Sequence, residues 1–117
     1  MIENIGIGID VSDIKKFKNK PFNENESFYK KIFLEEEIEY CLTFKNNYEK
    51  FAGKFAVKEA LIKSIQKKIG MLDIKTSYAI SKPMVEVLNS EESYRFRVSL
   101  SHDNDVAIAV VLSEKIN

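Results

Sequence analysis

The stretch IGIGIDVSDI, Ile5 to Ile14, decides how this chain begins its fold. Ile5, Ile7, Ile9 and Val11 recur every second residue, the period of a β-strand. The alternate positions are Gly6, Gly8 and Asp10: two residues without side chains, then a carboxylate. One face of the strand is therefore bare and ends in a charge. Two readings of the glycines stand at this point: close packing of a helix on the strand, or space beside Asp10. For Asp10, a bond to local backbone amides is the plain alternative to a functional carboxylate.

Outward from this strand, Ser12 is placed to cap a helix starting at Asp13. Pro21 and the polar run Asn23-Glu24-Asn25-Glu26 break it. Phe28–Phe33 leads into the acidic start Glu35-Glu36-Glu37 of a second helix reaching about Phe44. Tyr48 to about Lys67 is the longest helical segment, closed by Gly70. Ile74–Ile80, Met84–Leu88, Arg95–His102 and Val106–Leu112 read as strands, with turns at Ser81-Lys82-Pro83 and Asp103-Asn104-Asp105. The order is strand, helices, then two hairpins. This predicts an α+β fold, a mostly antiparallel sheet packed against a long central helix and shorter helices. The chain reads as a single domain over residues 1–117, without repeats or linkers.

Composition narrows the function classes. A chain of 117 residues buries roughly 65% of its unfolded surface. Lys and Arg total 18, as do Asp and Glu, so the overall basic charge of a nucleic-acid binder is missing. Cys41 is the only cysteine; a packed core thiol in a reducing compartment is the expectation. No run approaches the length of a membrane span and no signal peptide is evident, so a cytoplasmic protein is expected.

The segment FAGKFAVKEALIKS, Phe51 to Ser64, carries a second charge in an apolar setting. At helical spacing Glu59 falls between Phe55 and Ala52, with Ile62 nearby and Lys63 one turn on. An i, i+4 pair with Lys63 is the ordinary reading. A carboxylate in that sector is otherwise costly unless a cation compensates it. Taken together, Asp10 and Glu59 suit a hard divalent cation such as Mg²⁺, which takes one or two protein carboxylates and completes its shell with water and phosphate. His102, the only histidine, ends the strand VSLSH and by itself decides nothing.

GIGIDVSDIKKF, FAGKFAVKEALIKS and VSLSHDNDVAIAVVL, in that order, resemble the holo-[acyl-carrier-protein] synthases, the small single-domain class of 4'-phosphopantetheinyl transferases. FYKKIFLEEEIEYC and the turn SKP add to the likeness, which spans residues 4–114. The resemblance implies transfer of 4'-phosphopantetheine from coenzyme A to a serine hydroxyl of apo acyl carrier protein, in fatty acid synthesis. Adenosine 3',5'-bisphosphate leaves. It also implies a Mg²⁺ held by Asp10 and Glu59, and so space for the cation on the bare glycine face. Lys63 is implied to contact a coenzyme A phosphate. Lys54, standing where the family has arginine, and Lys45, matching the first of a basic pair that suits the 3'-phosphate and whose second member here is Asn46, are implied to bind coenzyme A. His102 is a candidate base or a contact for the adenine–ribose end, with Glu59 and a metal-bound water as other bases. Lys15, Lys16, Lys18 and Lys20, otherwise a solvated helix face, are implied to dock the acidic carrier protein. A homotrimer with sites between subunits is implied as well.

The sequence departs from the family at Ile65–Gly70, where a G-T-G turn is usual, and at Ser81, where glycine is usual. Lys67 or Lys68 stands where backbone amides would otherwise meet phosphate. Two other readings remain at this point: a ribonuclease H-like metal nuclease, whose first strand resembles IGIDVS, and a non-catalytic module binding an acidic partner. A dinucleotide fingerprint fails, because position 11 is Val and the glycines lie inside the strand.

Overall fold

The computed structural model describes residues 4–116. It begins with strand β1 (Ile5–Asp13) and helix α1 (Ile14–Lys18), then a 3-10 turn and helix α2 (Glu26–Lys30). Helix α3 (Glu35–Leu42) and the long helix α4 (Asn47–Ser64) follow. The chain ends in β2 (Ile74–Ala79), β3 (Lys82–Val87), β4 (Tyr94–Asp103) and β5 (Val106–Lys115). All pairing is antiparallel. β1, β5 and β4 form one sheet in that spatial order, and β2 with β3 forms a separate hairpin. The α+β order holds, with β1 reaching across the sequence to β5. Among the described residues no helix is long and apolar enough to cross a membrane.

Several boundaries move for local reasons. Asp13, rather than Ser12, caps α1, its Oδ1 accepting from the Lys15 N–H at 2.9 Å. Ser12 stays buried in the ladder opposite Ala107. The expected second helix is α3, ending at Leu42, and the segment leading into it forms the separate short helix α2, joined to α3 by residues 31–34. α4 stops three residues early because Ile65 is extended and buried, and the Ser113 hydroxyl donates to the Ser64 carbonyl at 2.9 Å. The β2–β3 turn is Ile80-Ser81, both at positive φ (50° and 65°), with Lys82 and Pro83 already in the strand. Glycine tolerates such a turn best, so Ser81 keeps the conformation without the ideal residue.

The bare face of β1 is filled by α4. A Cβ on Gly8 would lie 1.9 Å from the Ala60 carbonyl oxygen, and one on Gly6 would lie 1.7 Å from that of Ser64. The glycines thus admit helix backbone, so the space at positions 6 and 8 is filled by α4 rather than left open. The other face, Ile5, Ile7, Ile9 and Val11, is turned outward; Ile7 is 68% and Val11 62% exposed. Across the ladder Leu112, Val110 and Ile108 extend the same apolar surface.

The core lies between the sheet and the helices. Around α1–α3 it is aromatic: Phe17, Tyr29, Phe33 and Phe51 are all buried. Tyr29 and Phe51 have ring centroids 4.6 Å apart. Tyr29 donates its hydroxyl to the Lys20 carbonyl at 2.6 Å. Cys41 is fully buried here, the packed thiol expected from sequence.

Two measurements check this packing. Gly8→Ala is expected to cost about 3 kcal/mol or more, since the clash is with backbone, whereas Gly53→Ala shifts stability by less than about 1 kcal/mol. At Gly53 the new Cβ would meet only the Leu100 and His102 side chains, at 3.1 and 3.3 Å. Denaturant unfolding of both variants decides; equal losses would sink the packing account. Burial pushes the Cys41 thiol from its ordinary 9.0 up to about 12. A raised folded value means the thiol's contribution is complete below pH 9 and is lost as pH rises toward 12. The stability gap between the wild type and Cys41→Ala should therefore narrow above pH 9 in urea titrations. A pH-independent gap is the contrary result.

Candidate active site

Asp10 and Lys63 come together although 53 residues separate them. Lys63 Nζ donates to Asp10 Oδ1 at 3.2 Å and to the Ile9 carbonyl at 3.1 Å. The Asp10 side chain is 14% exposed and that of Lys63 53%. The approach of Gly8 to Ala60 is what lays the turn 59–63 over this part of β1. Glu59 sits on the same helix one turn before Lys63 and is half-buried. The expected Glu59–Lys63 pair does not form, since Lys63 reaches back to the strand, and among the described residues Glu59 enters no ion pair.

The donor set is two carboxylates, hard oxygen ligands that match Mg²⁺ rather than a soft metal. Among the described residues no group of three or more His, Cys, Asp or Glu is placed to hold a metal. A cation held here would complete its shell with water and a ligand's own oxygens. Lys63, half exposed and next to Asp10, is placed to meet an anion at the same spot.

Other candidates gather elsewhere. His102 lies at the opposite side of α4: its Nε2 is 3.4 Å from the Glu49 carbonyl, and the missing Cβ of Gly53 leaves room for the ring. In the ladder His102 is opposite Ala107, which is opposite Ser12. Two strand spacings and two residues separate it from Asp10, about 12 Å at the backbone. The two side chains flank α4, so within one chain His102 does not reach the Asp10–Lys63 pair. Lys45 is exposed in the connection that precedes α4, at the His102 end of that helix.

Lys54 differs from its expectation. Its ammonium is buried, donating to the Thr76 carbonyl at 3.2 Å and hydroxyl at 3.0 Å. It also lies 4.9 Å from the Tyr40 ring centroid and 5.3 Å from that of Tyr78. Burial lowers its pKa. Within one chain its ammonium is thus engaged by protein partners. Lys67 is likewise engaged, 3.7 Å from Glu92, which also binds Lys115 at 3.0 Å.

Two residues that the sequence reading passed over organise the site's rear. Lys58 and Glu37 form a fully buried pair at 2.7 Å. Lys58 Nζ also donates to the carbonyls of Ile32 at 2.8 Å and Met71 at 3.0 Å. Glu37 accepts from the Leu34 N–H and the Thr76 N–H, each at 2.7 Å, and from the Thr76 hydroxyl. Burial lowers the Lys58 pKa, and the hydrogen bond it donates to Glu37 opposes this. The available signals are a lysine inside the run FAVKEAL and a glutamate at the third position of α3.

The lysines of α1 border the Glu59 surface. Lys16 Nζ lies 4.6 Å above the ring of Phe55, the residue one turn before Glu59. Lys18 lies over Tyr48 at 5.5 Å and Lys20 over Phe28 at 4.9 Å. Lys15 instead pairs with Asp105 at 3.3 Å.

Residues 6–111 match the sequence profile described as the 4'-phosphopantetheinyl transferase superfamily. The holo-[acyl-carrier-protein] synthase of Caldicellulosiruptor bescii is 37% identical, over 93% of this chain and 97% of its own. The crystal structure of the Helicobacter pylori holo-[acyl-carrier-protein] synthase in complex with coenzyme A is 30% identical. It covers 92% of this chain and 99% of that one, with a TM-score of 0.77. The Bacillus anthracis enzyme, in complex with CoA (3',5'-ADP), is 28% identical, covers 96% and 98%, and has a TM-score of 0.78. These matches set aside the ribonuclease H-like reading. A carboxylate strand against a carboxylate helix, matched over nearly the whole length, places this chain in the 4'-phosphopantetheinyl transferase superfamily, among the holo-[acyl-carrier-protein] synthases.

Proposed function

We propose that this chain transfers 4'-phosphopantetheine from coenzyme A to a serine hydroxyl of apo acyl carrier protein. Adenosine 3',5'-bisphosphate is released. The observation that carries this reading is the Asp10–Lys63 contact with Glu59 one turn away, in a chain of this family. Phosphoryl transfer needs positioning and neutralisation of charge more than covalent help from the protein. A Mg²⁺ bound by Asp10 and Glu59 would supply Lewis-acid stabilisation of the pyrophosphate. Lys63 binds a phosphate oxygen and orients Asp10. Glu59, with no cation paired to it among the described residues, is the chain's own group nearest to accept the serine proton. His102 and Lys45, at the other end of α4, suit the nucleotide end of coenzyme A, and Lys54 serves the interior instead.

The outward apolar face of β1 and β5 supports a homotrimer. Four aliphatic residues on β1 and Leu112 on β5 are exposed in one chain, with Ile108 and Val110 partly exposed between them, a contiguous patch rather than scattered surface hydrophobics. In such an assembly each site draws on two neighbouring chains. The basic row on α1, set on Phe28, Tyr48 and Phe55 beside Glu59, suits an acidic carrier protein. The free, buried thiol of Cys41 supports work in a reducing compartment, the cytoplasm.

The intact mass of an apo acyl carrier protein after incubation with the chain, coenzyme A and Mg²⁺ should rise by one phosphopantetheine group. Asp10→Ala and Glu59→Ala should each slow the gain at least about a hundredfold. No gain with a folded protein would sink the reading, and an undiminished rate in either variant would remove that carboxylate from it. Ile9→Glu, which a solvent-facing position would tolerate, should turn a trimer into a monomer in sedimentation velocity. An unchanged sedimentation coefficient would exclude this face from assembly.

A further inference from the structure

The four lysines of α1 are not equivalent. Lys16, Lys18 and Lys20 rest on aromatic rings, and among the described residues none of them is paired with a carboxylate. Their charges are held in place but left unneutralised. Lys15 alone has an intramolecular counter-ion, Asp105 in the β4–β5 turn, with Nζ and Oδ2 3.3 Å apart and both side chains exposed. The same turn is fixed to α1 through the backbone: the Ile14 N–H donates to the Asp105 carbonyl at 2.7 Å. Asp13, the other acid beside Lys15, is committed to capping the helix.

We propose that Asp105 is a specificity-determining residue for the carrier protein, an internal acidic competitor that must release Lys15 before the partner can use it. This rests on the reading that α1 docks the carrier. A partner carboxylate reaching Lys15 exchanges one exposed ion pair for another, so that contact adds little net affinity. The three ring-supported lysines supply the unopposed charge. A strongly acidic carrier retains enough attraction, whereas a weakly acidic partner loses a quarter of the available cations. Selectivity then comes from a repulsive element beside an attractive one. The side chain, not the backbone of Asp105, carries the effect. Asp105→Asn keeps the shape and the backbone bond from Ile14 while removing the charge.

The test is steady-state kinetics with coenzyme A, Mg²⁺ and an apo acyl carrier protein, at low and at physiological salt. Asp105→Asn should lower the KM for the carrier about two- to fivefold, the range of an exposed ion pair, with kcat unchanged. The gain should shrink at high salt. It should vanish in a Lys15→Met background, because the cycle isolates the pair. Asp103→Asn removes the same charge from a residue without an ion pair among the described residues, and should give a smaller change. An unchanged KM in Asp105→Asn, an equal gain in Asp103→Asn, or a gain that persists without Lys15 would each overturn the proposal. Lys18→Met, which removes one of the unopposed cations, tested alone separates the two layers. A raised KM there keeps the docking reading whatever Asp105 does, and an unchanged KM ends both.

Discussion

Everything at the site depends on how closely α4 lies on β1. Helix and strand approach until the carbonyls of Ala60 and Ser64 occupy the volume that side chains at positions 8 and 6 would need. Only glycine permits this, through the absence of a Cβ and not through any unusual backbone angle, since no glycine here has positive φ. The consequence is vertical as well as lateral. With no side-chain layer between them, the groups projecting from the helix end and the strand end meet at short range, and Lys63 spans the gap to Asp10.

Held by one contact, a helix can still roll. The second constraint is the interior pair Lys58–Glu37. Removing two charges from water is costly, and a pair alone rarely compensates. Here the compensation comes from number: three acceptors around the ammonium and four donors around the carboxylate, drawn from α3, α4, β2 and two connections. No buried side-chain polar atom among the described residues is left without a partner. Lys54, bonded to Thr76 within the same region, extends this polar seam along α4. The seam locks the roll of the helix, so that Glu59 points away from it toward the α1 side.

Period and punctuation made the architecture legible. Alternation located β1 and the later strands, and Asp103-Asn104-Asp105 read as the turn of a hairpin, although Asp103 itself pairs with Val106. What alternation could not tell was which face of β1 is the inside. Four aliphatic residues look like a core face and two glycines like an empty one, yet the helix backbone is itself the packing partner of the glycines. Asp10, Glu59 and Lys63 were recognisable from motif and spacing, although their mutual arrangement required the fold: Lys63 chose a partner across the sequence over one a turn away. The charge of Lys54 was read as functional because sequence gives identity without direction. Lys58 and Glu37 escaped because each looks like an ordinary helical charge until both are seen to be buried.

The uncovered face of the β1–β5 ladder has one more consequence. An apolar surface covered by copies of the same chain ties stability to concentration through mass action. Folding and assembly become a single equilibrium, steeper than first order in the amount of chain. A cell that halves the synthesis of such a protein loses more than half of its working molecules, and one that raises it gains more than in proportion.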